Sequence, residues 1–300
     1  AGLAHQNWML SQGKVYSSPA EQAFRLGVFH KRLETIRAHN SDSTNTWEMG
    51  LNQFSDLTDE EFAAKYLGDK DEIDAAMIEG AEEHQFLDGF TAPSEVSHVK
   101  YVPKVLNQQS CGSCWAFGTA ASAEVNYNKA TGKNLTFSPQ QLLDCSGAGD
   151  CNGGIHPTAV KYYEGTAPAL NDDYPYQGKK SVAVKDYFSL KAKSTNYFLN
   201  GTASQWMEAV ALRSVTMSFR VASDFMSYKG GVYTKADCSQ NQGGHAVSIV
   251  GYKDNYWILE TLGEELGERV DTSELRRDSA ELVSARCTPE PLMPTGNWNR

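Results

Sequence analysis

Two side chains in this chain could do covalent chemistry together: the thiol of Cys114 and the imidazole of His245. Cys114 lies in the run Gln108-Gln109-Ser110-Cys111-Gly112-Ser113-Cys114-Trp115-Ala116-Phe117. A Gly-Ser turn precedes it and a small-residue helical segment follows, so the thiol opens a helix. A helix N-terminus favours an anion through its dipole and free N–H groups, which predicts a thiol that ionises easily. A lone cysteine is more often a small buried hydrophobe. Cys111, three residues earlier, also allows a Cys-x-x-Cys redox pair or half a zinc site. No second metal-type pair follows and no thioredoxin-like βαβ unit surrounds it, so neither a metal nor a cofactor is expected. A thiol nucleophile needs a base. Of the seven histidines, His5, His30, His39, His84, His98 and His156 lie in polar surroundings or in the N-terminal stretch and read as surface residues. His245 instead stands in Gly243-Gly244-His245-Ala246-Val247, at the mouth of an apolar strand, 131 positions after Cys114.

The elements that must position these groups are legible around them. The helix after Cys114 runs to about Lys129 and stops at Gly132. Ser138-Pro139-Gln140-Gln141 starts another, with serine at the cap and proline at the first position. Val215 to Val221, Tyr228 to Tyr233, Ala246 to Val250 and Tyr256 to Leu259 read as strands. Residues 1–68 read as helical and amphipathic. Leu26, Phe29, Leu33 and Ile36 share one face. Glu21 and Arg25 are placed to pair on the outside. Thr58 with Glu61 makes a capping box that starts a second helix after Asp56. Residues 69–92 are rich in Asp and Glu and read as a solvated linker, open to cleavage. Residues 93–259 form the main body. Helices come first and strands later, so the fold class is α+β with two lobes, preceded by an α-helical domain. Residues 260–300 turn acidic, and no strand pattern survives there.

Composition narrows the function. A formal net charge of −10 argues against a nucleic-acid partner and against an anionic membrane surface. No run approaches the eighteen or so apolar residues of a membrane span. No signal peptide is visible and the first residue is Ala1, so the chain reads as trimmed or as a fragment. Asn-x-Thr sequons at Asn134 and Asn200 favour the secretory route mildly. Six cysteines suit one catalytic thiol with a few bridges, or a cytosolic enzyme with free thiols.

Gln108 through Phe117 resembles the active-site segment of papain-family cysteine proteases, the cathepsin L-like group in particular. The resemblance implies that Cys114 is the nucleophile, His245 the general base, and the Gln108 side chain an oxyanion donor beside the Cys114 N–H. It implies a resting thiolate–imidazolium pair. Trp115 would line the substrate cleft. Cys151-Asn152-Gly153-Gly154 resembles the family's substrate-binding strand, where glycines let a peptide backbone lie close. By the same resemblance Cys111 bridges Cys151, and Ile155 and Ala246 touch the side chain two residues before the scissile bond, in an apolar pocket. Cys145 is either free or unusually paired. Glu21, Arg25, Phe29, Ile36 and Asn40 match the helix motif of the family's propeptides, with Arg32 where Asn is usual. Gly50, Asn52, Phe54 and Asp56 match their second motif. The implied protein is an endopeptidase zymogen whose own propeptide runs backwards through the cleft, loosened in acid through carboxylates such as Asp56. Peptides or proteins would be its substrates, a monomer its state, and a lysosome-like vacuole or secretion its destination.

The resemblance breaks at Glu260-Thr261-Leu262-Gly263, where the family has the Asn-Ser-Trp-Gly segment whose Asn orients the histidine. Written GAA ACT CTT GGG and read from the third base, these residues become Asn-Ser-Trp-Gly. The same shift permits a second Trp at Leu266-Gly267, a family-like strand at Val270 to Glu274, and a Cys-Gly-Ile-Cys at Ser279 to Val283. A slipped reading frame from about Glu260 is therefore expected, with a tail that packs poorly and Cys287 no dependable partner for Cys238. The alternative is divergence into a catalytically impaired homologue that binds or inhibits. A Cys-x-x-Cys oxidoreductase would leave the N-terminal motifs unexplained.

Overall fold

The computed structural model describes residues 2–67, 82–83, 85–183, 190, 197–198, 202–234, 241–253, 256–260 and 272–276. The N-terminal segment opens with helices α1 (Gly2–Ser11) and α2 (Pro19–Ser41). Ser18 caps α2 by accepting from the Glu21 N–H, and Pro19 fills a position where a missing N–H costs nothing. Phe29 and Ile36 bury on one face, and Phe29 packs against the rings of His5 and Trp8. Leu26 and Leu33 are half-buried. Glu21 and Arg25 do not pair as expected. Glu21 accepts from Ser17, while Arg25 reaches across to Glu61 and to the Asp56 carbonyl. Ser17 occupies the Glu21 carboxylate, while Glu61 meets the planar fork of Arg25 with both of its oxygens.

A short strand, β1 (Trp47–Met49), interrupts this helical segment, followed by α3 (Asp59–Tyr66). The Thr58–Glu61 capping box fixes where α3 begins. Residues 68–81 and His84 of the acidic stretch lie outside the described residues. Its later part is not simply solvated. β2 (Glu82–Glu83) pairs parallel with β6 (Tyr197–Phe198), and the Leu87 N–H donates to Glu208 at 2.9 Å.

The body begins with β3 (Glu95–Ser97). The first lobe is helical: α4 (Cys114–Thr131), α5 (Pro139–Cys145), the small ribbon β4 (Gly149–Asp150) and β5 (Gly153–Gly154), and α6 (His156–Gly165). Gly132 ends α4 at φ +69°, a left-handed cap that a residue with a side chain adopts at a cost. Trp115, Phe137, Leu142, Leu143 and Tyr163 fill this lobe's core. The second lobe carries α7 (Ala203–Leu212), β7 (Val215–Ala222), β8 (Tyr228–Tyr233), β9 (Asn241–Lys253), β10 (Tyr256–Glu260) and β11 (Thr272–Arg276). The sheet order is β1-β8-β11-β10-β9-β3, with β7 also on β9. The two-lobed α+β expectation holds.

Two features correct the sequence reading. Strand structure does persist beyond Glu260: β11 pairs antiparallel with β10, from Tyr256 opposite Arg276 to Glu260 opposite Thr272. Its charged composition hid it, because ladder hydrogen bonds are made by backbone whatever the side chains. The other expectations for the tail, Cys287 and Cys238 included, fall outside the described residues. The N-terminal segment is also not purely helical. β1 adds an antiparallel edge strand to β8, with Trp47 opposite Gly231 and Met49 opposite Tyr228. Trp47, Met49, Phe62 and Tyr66 bury in the same core as Met217, Val247, Ile249 and Trp257. The N-terminal segment and the second lobe therefore share one apolar cluster.

Candidate active site

Cys114 is the first residue of α4, and the loop before it is tied down from several sides. Cys111 and Cys151 form a disulfide, and the Gly112 N–H donates to the Cys151 carbonyl at 2.8 Å. Tyr176 Oη lies 2.7 Å from Ser113 Oγ and donates to the Gln108 carbonyl at 2.9 Å. The Gln108 side chain is buried and gives one amide hydrogen to the Cys111 carbonyl at 2.9 Å. A primary amide has a second hydrogen to offer. Gln109 sits at φ +55°, so this loop also carries a strained turn.

α4 lies against β9 because Gly118 lets it. A Cβ there would come within 3.2 Å of the Val247 nitrogen. The approach brings the Ala246 backbone amide onto the Cys114 sulfur, and Ala246 directly follows His245. His245 is half-buried, with its Nδ1 shielded from solvent and its ring 6.5 Å from that of Phe225. The expected thiol and imidazole thus come from separate lobes to one seam.

The seam is covered. The Tyr66 carbonyl at the end of α3 faces the Cys114 sulfur at 3.9 Å, and the thiol is only 5% exposed. At Gly112 a Cβ would fall 2.5 Å from the Lys65 carbonyl, so this glycine is what admits the end of the covering helix α3. The burial has an electrostatic consequence. It pushes the Cys114 thiol up, and the amides of Ala246, Trp115 and Cys114 offset this only in part. Burial also pulls His245 down to about 4. Desolvation disfavours both charged forms in the covered state, against the resting thiolate–imidazolium pair expected from sequence.

The glycine strand and Trp115 pack on one another. A Cβ on Gly154 would fall 2.5 Å from the Trp115 indole, and Trp115 Nε1 donates to the Asp150 carbonyl at 3.3 Å. With 1% exposure in the covered state, Trp115 sets its indole against Gly154. Asn152 is exposed, its N–H held by Asp150 Oδ1 at 2.7 Å. Ile155 is half-buried and Ala246 buried. Cys145 is a free thiol. Among the propeptide-motif residues, Asn40 makes a reciprocal pair with the Met49 backbone, and Asn52 Nδ2 donates to the Met226 carbonyl at 2.6 Å. Gly50 packs on Lys229, and Phe54 stacks edge-on to Phe62 and Tyr66. Asp56 is buried, accepting from Tyr16 and Lys14. Arg32 pairs with Asp59.

Three histidines read as surface residues are buried. His5 lies between the rings of Trp8 and Tyr16. His98 bonds the Val210 carbonyl at 2.7 Å, and burial lowers it to about 4. His156 lies 3.3 Å from Ser218 Oγ. Their neighbours in sequence do not mark them as buried, and the tertiary packing encloses them. Sequence reasoning also missed Tyr66 and a buried acid pair, Glu124 on α4 and Glu260 on β10. Burial pushes both of these carboxyls up, Glu124 well above the usual range. Only the capping box eight residues earlier hinted at Tyr66, since it fixes where α3 starts.

A fold of one helical and one sheet lobe, with a helix-capped thiol at their seam and an N-terminal segment laid over it, defines a thiol hydrolase held shut by its own chain. The Papain family cysteine protease profile matches residues 92–270, and the Cathepsin propeptide inhibitor domain (I29) profile matches residues 5–62. The chain is 35% identical to a pro-cathepsin H of Bos taurus, over 85% of this chain and 79% of that protein. It is 32% identical to a cathepsin L-like proteinase of Fasciola hepatica, over 89% of this chain and 86% of that one. Among solved structures, a recombinant stem bromelain precursor superposes with a TM-score of 0.84 at 27% identity, covering 98% of each chain. A digestive procathepsin L2 proteinase of Tenebrio molitor gives 0.85 at 25% identity, covering 98% of this chain and 99% of that one. The chain belongs to the papain family of cysteine proteases, as a zymogen that carries an I29 propeptide. No helix among the described residues is long and apolar enough to cross a membrane.

Proposed function

We propose that Cys114 is the nucleophile of a peptide-bond hydrolysis in which His245 is the base and Gln108 an oxyanion donor. The observation that carries this is the Ala246 amide on the Cys114 sulfur, which brings the residue beside His245 to the N-terminus of α4. His245 takes the thiol proton, sulfur attacks the carbonyl, and the proton passes to the leaving amine. Water then cleaves the thioester acyl-enzyme. The Cys114 N–H and the free hydrogen of the Gln108 amide meet the charge on the carbonyl oxygen. Peptide or protein substrates lie along Gly153 and Gly154, beside Asn152, with Ile155 and Ala246 walling the pocket for the side chain two residues before the scissile bond. Trp115 holds that strand from beneath.

The propeptide inhibits by occupation. Tyr66 caps the sulfur, and the chemistry waits until α3 leaves. We place the protein in a vacuole-like compartment or outside the cell, as a monomer. The Cys111–Cys151 bridge supports that address, since such bonds persist in oxidising compartments. The frame slip from about Glu260 has physical support in the Glu124–Glu260 pair. Two buried carboxyls that each raise the cost of ionising are what an unselected residue leaves behind. The competing reading is a catalytically impaired binding or inhibitory protein, resting on the missing orienting Asn. To separate them, the chain is acidified and treated with a peptidyl epoxide. Labelling at Cys114 that disappears in His245→Ala supports the enzyme. No labelling, even of a chain with Asn-Ser-Trp-Gly restored after Leu259, would establish the binding protein instead.

A further inference from the structure

His156, the first residue of α6, is fully buried, and its Nε2 has no hydrogen-bond partner among the described residues. A buried polar atom left unpaired costs free energy, so it calls for an explanation. Its other nitrogen, Nδ1, lies 3.3 Å from Ser218 Oγ, a contact that crosses from the helical lobe to the sheet lobe. Ser218 stands opposite Ala246 in the β7–β9 ladder. Residues so placed are about 4.5–5.5 Å apart. Thr216, two positions earlier on β7, donates to the Gly118 carbonyl, one turn along α4 from Cys114. Two strand residues advance about 6.6 Å and one helical turn about 5.4 Å, so Ser218 comes level with the thiol. His156 is also the next residue after Ile155.

We infer that His156 closes the pocket between Ile155 and Ala246 and makes it selective for a neutral hydrogen-bonding side chain, such as glutamine, two residues before the scissile bond. This rests on the proposed roles of Cys114, Ile155 and Ala246, and departs from the apolar pocket that those two residues alone would form. Either tautomer of the imidazole fits. With Ser218 donating to Nδ1, Nε2 carries the proton and donates; with Nδ1 donating, Nε2 accepts. A carboxamide can answer both. Burial holds the imidazole neutral, down at about 3, which favours an uncharged partner. Discrimination of this kind is steep because a site built to pair a polar group leaves that group bare when an apolar side chain enters.

The test uses the acid-activated full chain and two peptidyl epoxides that differ only in carrying glutamine or leucine at that position. The readout is the rate of Cys114 labelling by each. In His156→Leu the glutamine-to-leucine rate ratio should fall about tenfold, the worth of one buried hydrogen bond, while the leucine probe keeps reacting. Ser218→Ala, which unties the ring but keeps it, should lower the ratio by about threefold, so the inference stands or falls even if the leucine variant misfolds. An unchanged ratio in a variant that still labels overturns the inference and leaves the catalytic assignment intact. Failure of both probes, even on a chain with Asn-Ser-Trp-Gly restored after Leu259, overturns the catalytic assignment, and this inference with it.

Discussion

Glu61→Gln isolates how the propeptide is held shut. Arg25 grips Glu61 with both guanidinium nitrogens, at 2.5 and 2.9 Å, and also reaches the Asp56 carbonyl at 3.0 Å. The pair links α2 to α3, the helix that delivers Tyr66 to the sulfur. Arg25 holds the Glu61 carboxyl below its usual range, chiefly by these hydrogen bonds. A carboxyl depressed in the closed state stabilises that state above its ordinary value of 4.5, and the contribution is lost as pH falls through the lowered one. Glu61 is 38% exposed, so solvent screening limits the pair to about 1 kcal/mol. That is about fivefold in the opening equilibrium. The assay is alkylation of Cys114 by a small reagent, comparing variant with unsubstituted zymogen at each pH so that thiol ionisation cancels. The variant should react about fivefold faster at about pH 7, and the gap should close towards about pH 3. A gap that stays constant with pH, or no gap at neutral pH, refutes the role given to this pair.

Other outcomes follow from the same packing. Glu260→Gln should raise stability by about 2 kcal/mol at neutral pH, read as thermal unfolding, and by little below about pH 4.5. The sign follows because burial raises the folded carboxyl, so the native state loses stability as pH rises through that window. Gly231→Ala should speed self-activation, since a Cβ there lies 2.6 Å from the Thr46 carbonyl and 2.8 Å from the Trp47 Cα, which evicts β1. Processing followed on a gel checks it. Removing the Cys111–Cys151 bridge, which spans 40 residues, should cost about 4 kcal/mol and lower the melting temperature.

The chemistry was legible in sequence where it depends on local spacing. Cys114 at a helix start, the Ser138 and Thr58 caps and the Gly132 stop all follow from neighbours within a turn. His245 was legible because a polar residue at the mouth of an apolar strand is conspicuous. What depends on tertiary burial was not. Nothing in the residues around Cys114 says that Tyr66, 48 positions away, will cover it. The burial of His5, His98 and His156 has the same origin, since each is enclosed by distant elements. The packing of Trp115 on Gly154 was not legible either, because neighbouring a nucleophile in sequence does not decide which side of a glycine strand a side chain takes. The strand β1 escaped because its pairing is supplied by β8, far along the chain, and β11 because its charged composition carries no strand pattern.

At this one seam burial under the propeptide disfavours the Cys114 thiolate, and release of the propeptide should let the thiol ionise. Following thiolate absorbance through a pH titration of the intact zymogen and of the acid-released enzyme tests it most directly. No thiolate at neutral pH in the zymogen, a thiolate in the released enzyme, and its loss in His245→Ala are the predicted results. A thiolate already present in the intact zymogen, or one that persists without His245, would contradict it.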